Sequence, residues 1–546
     1  MIQAILMIKL TDYFEQNRKT ELGQARRRRV VRGFLLLLML AVVALVTERV
    51  RGQWSLKRWK NQMTAKGERL DVSALWPAPN PGSSTFSNQL AKATETQDGR
   101  LREFAGSIAV ILANERGKFR RGSQEVHPQM LYGKSSTNTW EQLDAAIKQN
   151  EAALASLREL MKTPPSTMSR DVVKDLATGS QPNFVSVRLG AQSLQAAALN
   201  DLHKGELSHS LENLVALQAF ARLYDADPGL VDYMIRMAVI GLSVEVCWDA
   251  LQADGWTQSQ LTTLQNSCAD PDKLILQMPT TLEAIRVARI YELRWFRSHS
   301  YKAWLDRNLE PCESFGCKPP ASDTAPTVLW WRQCLFHPLW SFAWADQEEL
   351  DYLRETQSDV TALRDAIQKR SWSSLNEQLI ANHKGYRAPA AKWRFYTRLP
   401  LLDDFGDAIS PANQLPGPYP YTDFTKAWYT TMKTLTEHEM LITAIALKRF
   451  ELQHKNKPSS LDALIPEFLP ALPTDFMDGH PLRYRLNSNG TYILYSVGDN
   501  FIDDGGTGVL GSPDAGRQKS PWNGQDLIWP VVEPGTTSGQ VVKKEP

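Results

Sequence analysis

The 546 residues carry 62 Lys and Arg against 60 Asp and Glu, a net charge of only +2, so no global basic field marks a nucleic-acid binder. With 22% charged and 42% hydrophobic residues, the composition is globular rather than disordered. The length allows about two to four domains and a large buried core.

The first 32 residues end in a basic cluster, Arg26 to Arg29 and Arg32, ahead of the apolar run from Gly33 to Val46. That run falls short of the ~20 residues of a typical spanning helix, but Val30, Val31 and a snorkelling Arg32 bring it close to a minimal span. A cleavable signal peptide is the competing reading. The long polar region ahead of the run and the lack of a clear A-x-A site before Thr47 favour an uncleaved anchor over residues 33–47. Arg49, Arg51, Lys57, Arg58 and Lys60 make the far flank basic too, yet the denser cluster precedes the span and places residues 1–32 in the cytoplasm. The expectation is a single-pass protein of the inner (cytoplasmic) membrane. Its bulk is then extracytoplasmic, and periplasmic in a bacterium with two membranes.

Residues 48–99 read as a juxtamembrane segment and linker, the linker proper being the Pro- and Ser-rich stretch 77–87. A helical domain is expected over 100–421. Its clearest helix runs from Trp140 to Leu160, with Leu143, Ile147 and Leu154 on one side and Pro164 and Pro165 closing it. Further helices are expected over 185–202, 207–224, 228–251 and 281–307. Short connections between them imply antiparallel neighbours, hence stacked helical hairpins in a bundle or short solenoid. The turn from Asp201 to Leu207 resembles a tetratricopeptide hairpin, with Gly205 after the first helix, but no second copy recurs at a fixed period.

Residues 308–340 are irregular and rich in Pro, Trp and Cys, including Trp330, Trp331 and Trp340. Cys312 and Cys317 are close enough to form a disulfide in an oxidising compartment; Cys247, Cys268 and Cys334 then leave an odd thiol, or one further pair and a free cysteine. No second close Cys or His pair has zinc spacing. A helix over 344–371 and a long connection over 385–422 follow.

A helix over 422–454 opens the last module, with Phe424, Trp428, Leu435, Ile442 and Ala446 on one side and Lys455 to Pro458 ending it. Ser459 and Ser460 can cap a short turn over 461–465. Leu482, Tyr484 and Leu486 alternate with Arg483 and Arg485, and Tyr492, Leu494 and Ser496 alternate with Ile493 and Tyr495. With Asn489-Gly490 between them this is a β-hairpin. Two strands alone are marginal in water, so it should lie on the preceding helix. The fold class expected is mainly α, with a small carboxy-terminal α+β module.

Leu461-Asp-Ala-Leu464 after the helix, then Pro473-Thr-Asp475 with Asp478-Gly479, then Tyr495-Ser-Val-Gly-Asp499 resemble, in this order, the carboxy-terminal part of type II secretion major pseudopilins. The likeness covers roughly residues 435–506 and makes 422–506 a pseudopilin-like module and 507–546 an extended tail. In that family the loop after the last long strand binds calcium, which implies Asp499 or Asn500 with Asp503 or Asp504 as ligands. Hard oxygens on a Gly-flexible loop suit calcium on physical grounds too. The competing reading is a solvated acidic turn held by Asx hydrogen bonds. Leu38 stands where a pilin filament needs Glu, and a long chain separates the apolar segment from the module, so the module reads as reused at the end of another protein. Lys66 to Leu75, the helical middle, the module and Asn523 to Pro530 together resemble a group of uncharacterised membrane-anchored proteins of planctomycetes and verrucomicrobia.

No catalytic residue is assigned. His438-Glu439 meets Ile442 where H-E-x-x-H needs His, and reads as the polar face of a long helix. Gly241-Leu-Ser-Val-Glu245 lacks the second Gly of a nucleophile elbow and lies within a helix. Glu245 and Asp249 share a helix face that reads as solvated. Asp403 with Asp404, and Asp503 with Asp504, are adjacent residues that point apart. His203, His299 and His454 sit near helix ends, where an imidazolium suits the dipole. The function expected is a non-catalytic scaffold or partner-binding envelope protein, with an unidentified protein partner and no nucleic acid. One alternative is an extracytoplasmic hydrolase with a cleft near 308–420; another is an accessory component of a type II-like secretion system.

Overall fold

Residues Glu21–Ala65 form one uninterrupted helix, α1, so the apolar run lies in the middle of an element about three times its length. The computed structural model describes residues 21–77, 81–95, 119–121, 124–126, 139–168, 171–178, 184–300, 302–303, 334, 337–384, 425–488, 490–507 and 526–529. Cys312, Cys317, Trp330, Trp331, Asp403, Asp404, Phe424 and the connection over 385–422 lie outside them. Nothing interrupts α1 after Thr47, because residues 47–65 are mostly Arg, Lys, Gln, Leu and other tolerant helix formers. The residues from Val30 to Val43 are exposed, and among the described residues α1 is the helix long and apolar enough to cross a membrane.

α2 (Val72–Leu75) and α3 (Pro81–Glu95) come next. The linker expected over 77–87 is therefore corrected: its second half begins a helix. Pro81 at the first helical position needs no N–H there, and Phe86, Leu90 and Ala93, at i, i+4 and i+7, are buried. A small ladder pairs β1 (Phe119–Arg121) with β2 (Gln124–Val126). Then come α4 (Trp140–Gln149), α5 (Glu151–Leu160), α6 (Val172–Thr178), α7 (Phe184–Lys204), α8 (Leu207–Phe220), α9 (Leu230–Gln252) and α10 (Gln258–Ser267). α11 (Pro271–Ser298), α12 (His337–Ala343), α13 (Ala345–Lys369), α14 (Trp372–Lys384) and α15 (Thr425–His454) complete the helices. The expectation of an irregular segment up to residue 340 ends early, since α12 occupies its last residues and buries Trp340.

The chain forms two compact units, Met1–Glu68 with Ile290–Glu355, and Arg69–Arg289 with Thr356–Pro546. In the first, α1 turns one stripe toward α12 and the start of α13: Leu45, Glu48 and Arg49 are partly covered, and Gly52, Leu56 and Trp59 are buried. A Cβ on Gly52 would stand 3.0 Å from Gln347 Cγ and 3.3 Å from Asp346 Cβ, so α13 approaches closely here and a side chain at 52 would have to push those groups aside. Gln347 Nε2 donates to the Glu48 carbonyl at 3.0 Å. Glu349 pairs with Lys60 and, at 2.9 Å, with Arg294, while Arg297 holds Asp346 through two hydrogen bonds. Phe296, His337 and Trp340 form the small aromatic core.

The second unit is a helical bundle around α7 and α15. α7 and α8 make the expected antiparallel hairpin, with Gly205 at φ +76° in its turn. α7 also packs on α3, α4, α5 and α9. Leu143, Ile147 and Leu154 are buried as their spacing predicts, although Asn150 divides the expected single helix into α4 and α5. α15 runs along α9 and α10, and between Thr431 and Leu447 most of its faces are buried. The expected one-sided helix is thus corrected to a central one. Its polar residues tolerate burial because Thr436 and Thr443 return their hydroxyls to the carbonyls of Met432 and Glu439.

Beyond α15, a 3₁₀ turn covers Leu461–Leu464, and Ser460 before it makes no side-chain cap. β3 (Arg483–Leu486) and β4 (Tyr492–Ser496) form the expected hairpin, and Gly490 has φ +79° in its turn. β5 (Leu527–Ile528) adds a third antiparallel strand, Tyr495 opposite Ile528 and Ser496 opposite Leu527. The described part of the tail is therefore docked, with Leu527, Ile528 and Trp529 buried.

Candidate functional site

The densest polar arrangement is at the carboxy-terminal sheet. Asp475 begins a tight turn in which Gly479, at φ +83°, donates its N–H to the Asp475 carbonyl at 2.8 Å. The Asp475 carboxylate is fully buried. Oδ1 accepts from Ser496 Oγ at 2.8 Å and the Met477 N–H at 3.0 Å; Oδ2 accepts from the Val497 N–H at 2.9 Å and Arg483 at 3.0 Å. Burial pushes its pKa up to about 6, with the Asp478 charge adding and the hydrogen bonds opposing. It stays ionised at neutral pH, and its lone pairs are spent on the fold. Burial also works against ionised Asp478, but Arg483 overcomes it and holds that carboxyl low.

The acidic loop comes directly after β4. Gly498–Asn500 make a 3₁₀ turn and Phe501 is left-handed at φ 60°. Asp499 Oδ2 accepts from the Tyr429 hydroxyl on α15, while Oδ1 is buried with no hydrogen-bond partner among the described residues. Burial raises the Asp499 pKa against the pull of Tyr429 and Lys433. Asn500 Nδ2 donates to Asp504 at 2.8 Å, and its Oδ1 accepts from the Ile502 N–H. Asp503 Oδ1 accepts from Tyr495 and from the Gly505 N–H, each at 3.0 Å. Asp526, just before β5, accepts the N–H groups of Asp504 at 3.1 Å and Gly506 at 2.7 Å.

These contacts decide how the loop would meet a cation. Calcium wants about six to eight oxygens around one point. Here Asp499 turns to α15, Asp503 to β4, and Asn500 and Asp504 to each other. Among the described residues no group of three or more His, Cys, Asp or Glu side chains is gathered for a metal. In this arrangement Asp499 Oδ2, Asp503 Oδ1 and Asp504 Oδ2 accept from protein donors, while Asp499 Oδ1 is buried without a hydrogen-bond partner among the described residues.

Elsewhere, single residues are placed but not assembled. His438 is buried on α15, not on a polar face as expected; one ring nitrogen meets the Ala269 carbonyl at 2.9 Å and the other has no partner among the described residues. Burial lowers its pKa and keeps it neutral. Burial raises Glu439 to about 8, with Asp272 and Asp270 adding and Arg370 opposing. Gln218 Nε2 approaches both Cys247 Sγ at 3.6 Å and Cys268 Sγ at 3.7 Å; both are free thiols, and burial pushes Cys247 up to about 12. Cys334 is free and exposed. Glu245 keeps exposed surface, but burial of its carboxylate with the Glu437 charge beside it raises its pKa to about 7, and Asp249 is half-buried, so the face they share is not simply solvated. His203 stacks on Trp140, His299 on Trp295 and His454 on Phe450, each with ring centroids 4.1 Å apart.

Asp475 and Asp526 fall within quoted stretches of the sequence without a role being assigned to either, and Tyr429 is not singled out. Asp526 has a usable signal in the apolar Leu-Ile-Trp after it; the motif around Asp475 marks its position, but its part as a hub follows only from the partners that reach it. Compared with protein-family models, curated proteins and solved structures, the chain matches none.

Proposed function

We propose that the chain is a single-pass protein anchored in the cytoplasmic membrane through residues 33–47, with an extracytoplasmic helical body that serves as a non-catalytic scaffold for a protein partner in the envelope. The observation that carries this reading is α1. Its apolar middle is bare, a surface that costs free energy in water and none in lipid, and its carboxy-terminal half continues directly into a packed unit. Helical hairpins layered around α7 and α15 supply broad side-chain surfaces of the kind that partner proteins use. The acids at the sheet support a structural role, since their oxygens accept from the fold's own donors. The resemblance of residues 435–506 to major pseudopilins agrees with an envelope location.

Cross-linking with mass spectrometry in native envelopes tests the reading. It expects one reproducible partner cross-linked to the helical body. Recovery of none, under conditions where cross-links within the chain form, would contradict it.

A further inference from the structure

The first unit holds an apolar surface that water does not explain. In α12, His337, Trp340 and Ala343 are buried, with a His337 ring nitrogen 2.8 Å from the Phe296 carbonyl. The outward face consists of Pro338, Leu339 and Phe342, and Leu339 and Phe342, both large and exposed, stand three apart on one side. An amphipathic surface helix carries polar residues at such positions; this one has apolar residues on both faces.

Its place along α1 identifies what covers that face. The Arg49 guanidinium lies over the Phe342 ring, 4.7 Å from the centroid, and donates to the Phe342 carbonyl at 3.3 Å. Arg49 is three residues past Val46, where the apolar run ends, so it stands about 4.5 Å farther along the helix axis. Headgroup regions add roughly 5–7 Å to each side of a bilayer's hydrocarbon core. Arg49, and Phe342 with it, therefore stand at headgroup depth. The bare surface of α1 also runs past Val46: Val50 is 58% and Trp54 62% exposed, at successive turns. Val50 and Trp54 stand about half a turn around α1 from Gly52, Leu56 and Trp59, so at this depth apolar surface is bare both on the far side of α1 and on the outward side of α12. Arg49, Arg51, Lys57 and Arg58, on this same stretch of α1, carry the charge that phosphate headgroups attract.

We propose that α12 lies in the bilayer interface, with Leu339 and Phe342 inserted at the boundary between headgroups and acyl chains, as a second membrane contact beside the span. The inference rests on α1 being a membrane anchor. Two contacts side by side hold α1 in a single rotational setting, which one spanning helix does not do by itself.

The test places p-benzoylphenylalanine, one site at a time, at Leu339, Phe342, Leu38 and Leu276 of the full chain in nanodiscs of phosphatidylcholine and phosphatidylglycerol. After illumination, lipid adducts are read by intact-mass spectrometry. Leu38 reports the span, and Leu276 is an exposed apolar residue of the other unit. Lipid adducts at Leu38, Leu339 and Phe342, well above the yield at Leu276, are expected. Adducts at Leu38 without any at Leu339 or Phe342 would overturn the proposal and leave the anchor standing. Absence of adducts at Leu38 would remove the anchor and the proposal together. Equal adduct yield at Leu276, or cross-links to protein instead of lipid at Leu339 and Phe342, would also overturn it.

Discussion

Asp475 Oδ1 accepts a 2.8 Å hydrogen bond from Ser496 Oγ, tying the turn that begins at Asp475 to the last residue of β4. Two short motifs that look like separate signals in the sequence are therefore two halves of one joint. Replacing Asp475 by Asn puts an amide N–H₂ among donors and removes one of the two carboxylates that pair with half-buried Arg483. The variant should lose about 3 kcal/mol, in the range for unmade buried polar bonds and broken buried pairs. Hydrogen exchange on the full chain in detergent would show this as lost protection at the Val497 amide, which donates to Asp475. Unchanged protection there would count against the joint.

Gly479 closes the same turn onto the junction of α13 and α14. A Cβ at its φ of +83° would stand 2.4 Å from the Lys369 carbonyl oxygen. Nearby, Phe476 and Met477 offer their carbonyls to the Trp372 and Ser373 N–H groups that open α14. Gly479→Ala combines a left-handed penalty of ~1–2 kcal/mol with overpacking of ~1–3 kcal/mol. Faster exchange at the Trp372 and Ser373 amides is expected, and a variant as protected as wild type would contradict this packing.

Glu439 makes stability depend on pH in a definite direction. Its folded pKa of about 8 lies above its ordinary value of 4.5. Between those values the native protein keeps a proton that the unfolded chain has released. Stability from this group is therefore present at low pH and lost as pH rises toward 8. The thermal midpoint of wild type should fall relative to Glu439→Gln across that window. A difference independent of pH would show that Glu439 is not held as described.

The acidic loop gives a fourth expectation. Because Asp503, Asp504 and Asn500 are engaged by Tyr495, by each other and by backbone N–H groups, thermal unfolding should be the same in calcium and in chelator. A bound ion at ~100 times its dissociation constant would add about 2.7 kcal/mol, so a clear upward shift in calcium would show that the loop rearranges around it.

Much of the helical architecture is legible because burial there follows period. Leu143, Ile147 and Leu154 repeat at helical spacing and are buried, and the glycines at 205 and 490 mark real turns. α10 escapes the periodicity reading although Thr257 and Gln260 write a capping box before it, with Gln260 N–H on Thr257 Oγ1 and Gln260 Oε1 on the Thr257 N–H. α15 reads as one-sided because a helix buried all round has no polar stripe to break its pattern, and threonines that bond back to their own helix look polar in sequence. The site is legible only in composition. The acids of the loop can be seen, but whether they converge depends on Tyr429, Tyr495 and Asp526, which reach them from distant elements.

The account stands most directly on α1 remaining attached and crossing the membrane. Spheroplasts expressing the full chain, treated with protease from outside and then extracted with alkaline carbonate, would decide it. Before protease, the account predicts a chain of the full 61.6 kDa in the carbonate-resistant membrane pellet. After protease, only a short fragment holding residues 1–47 and a brief stretch beyond them should remain there. A shorter chain that begins near Thr47 and leaves the membrane with carbonate, or a body protected from external protease, would contradict it.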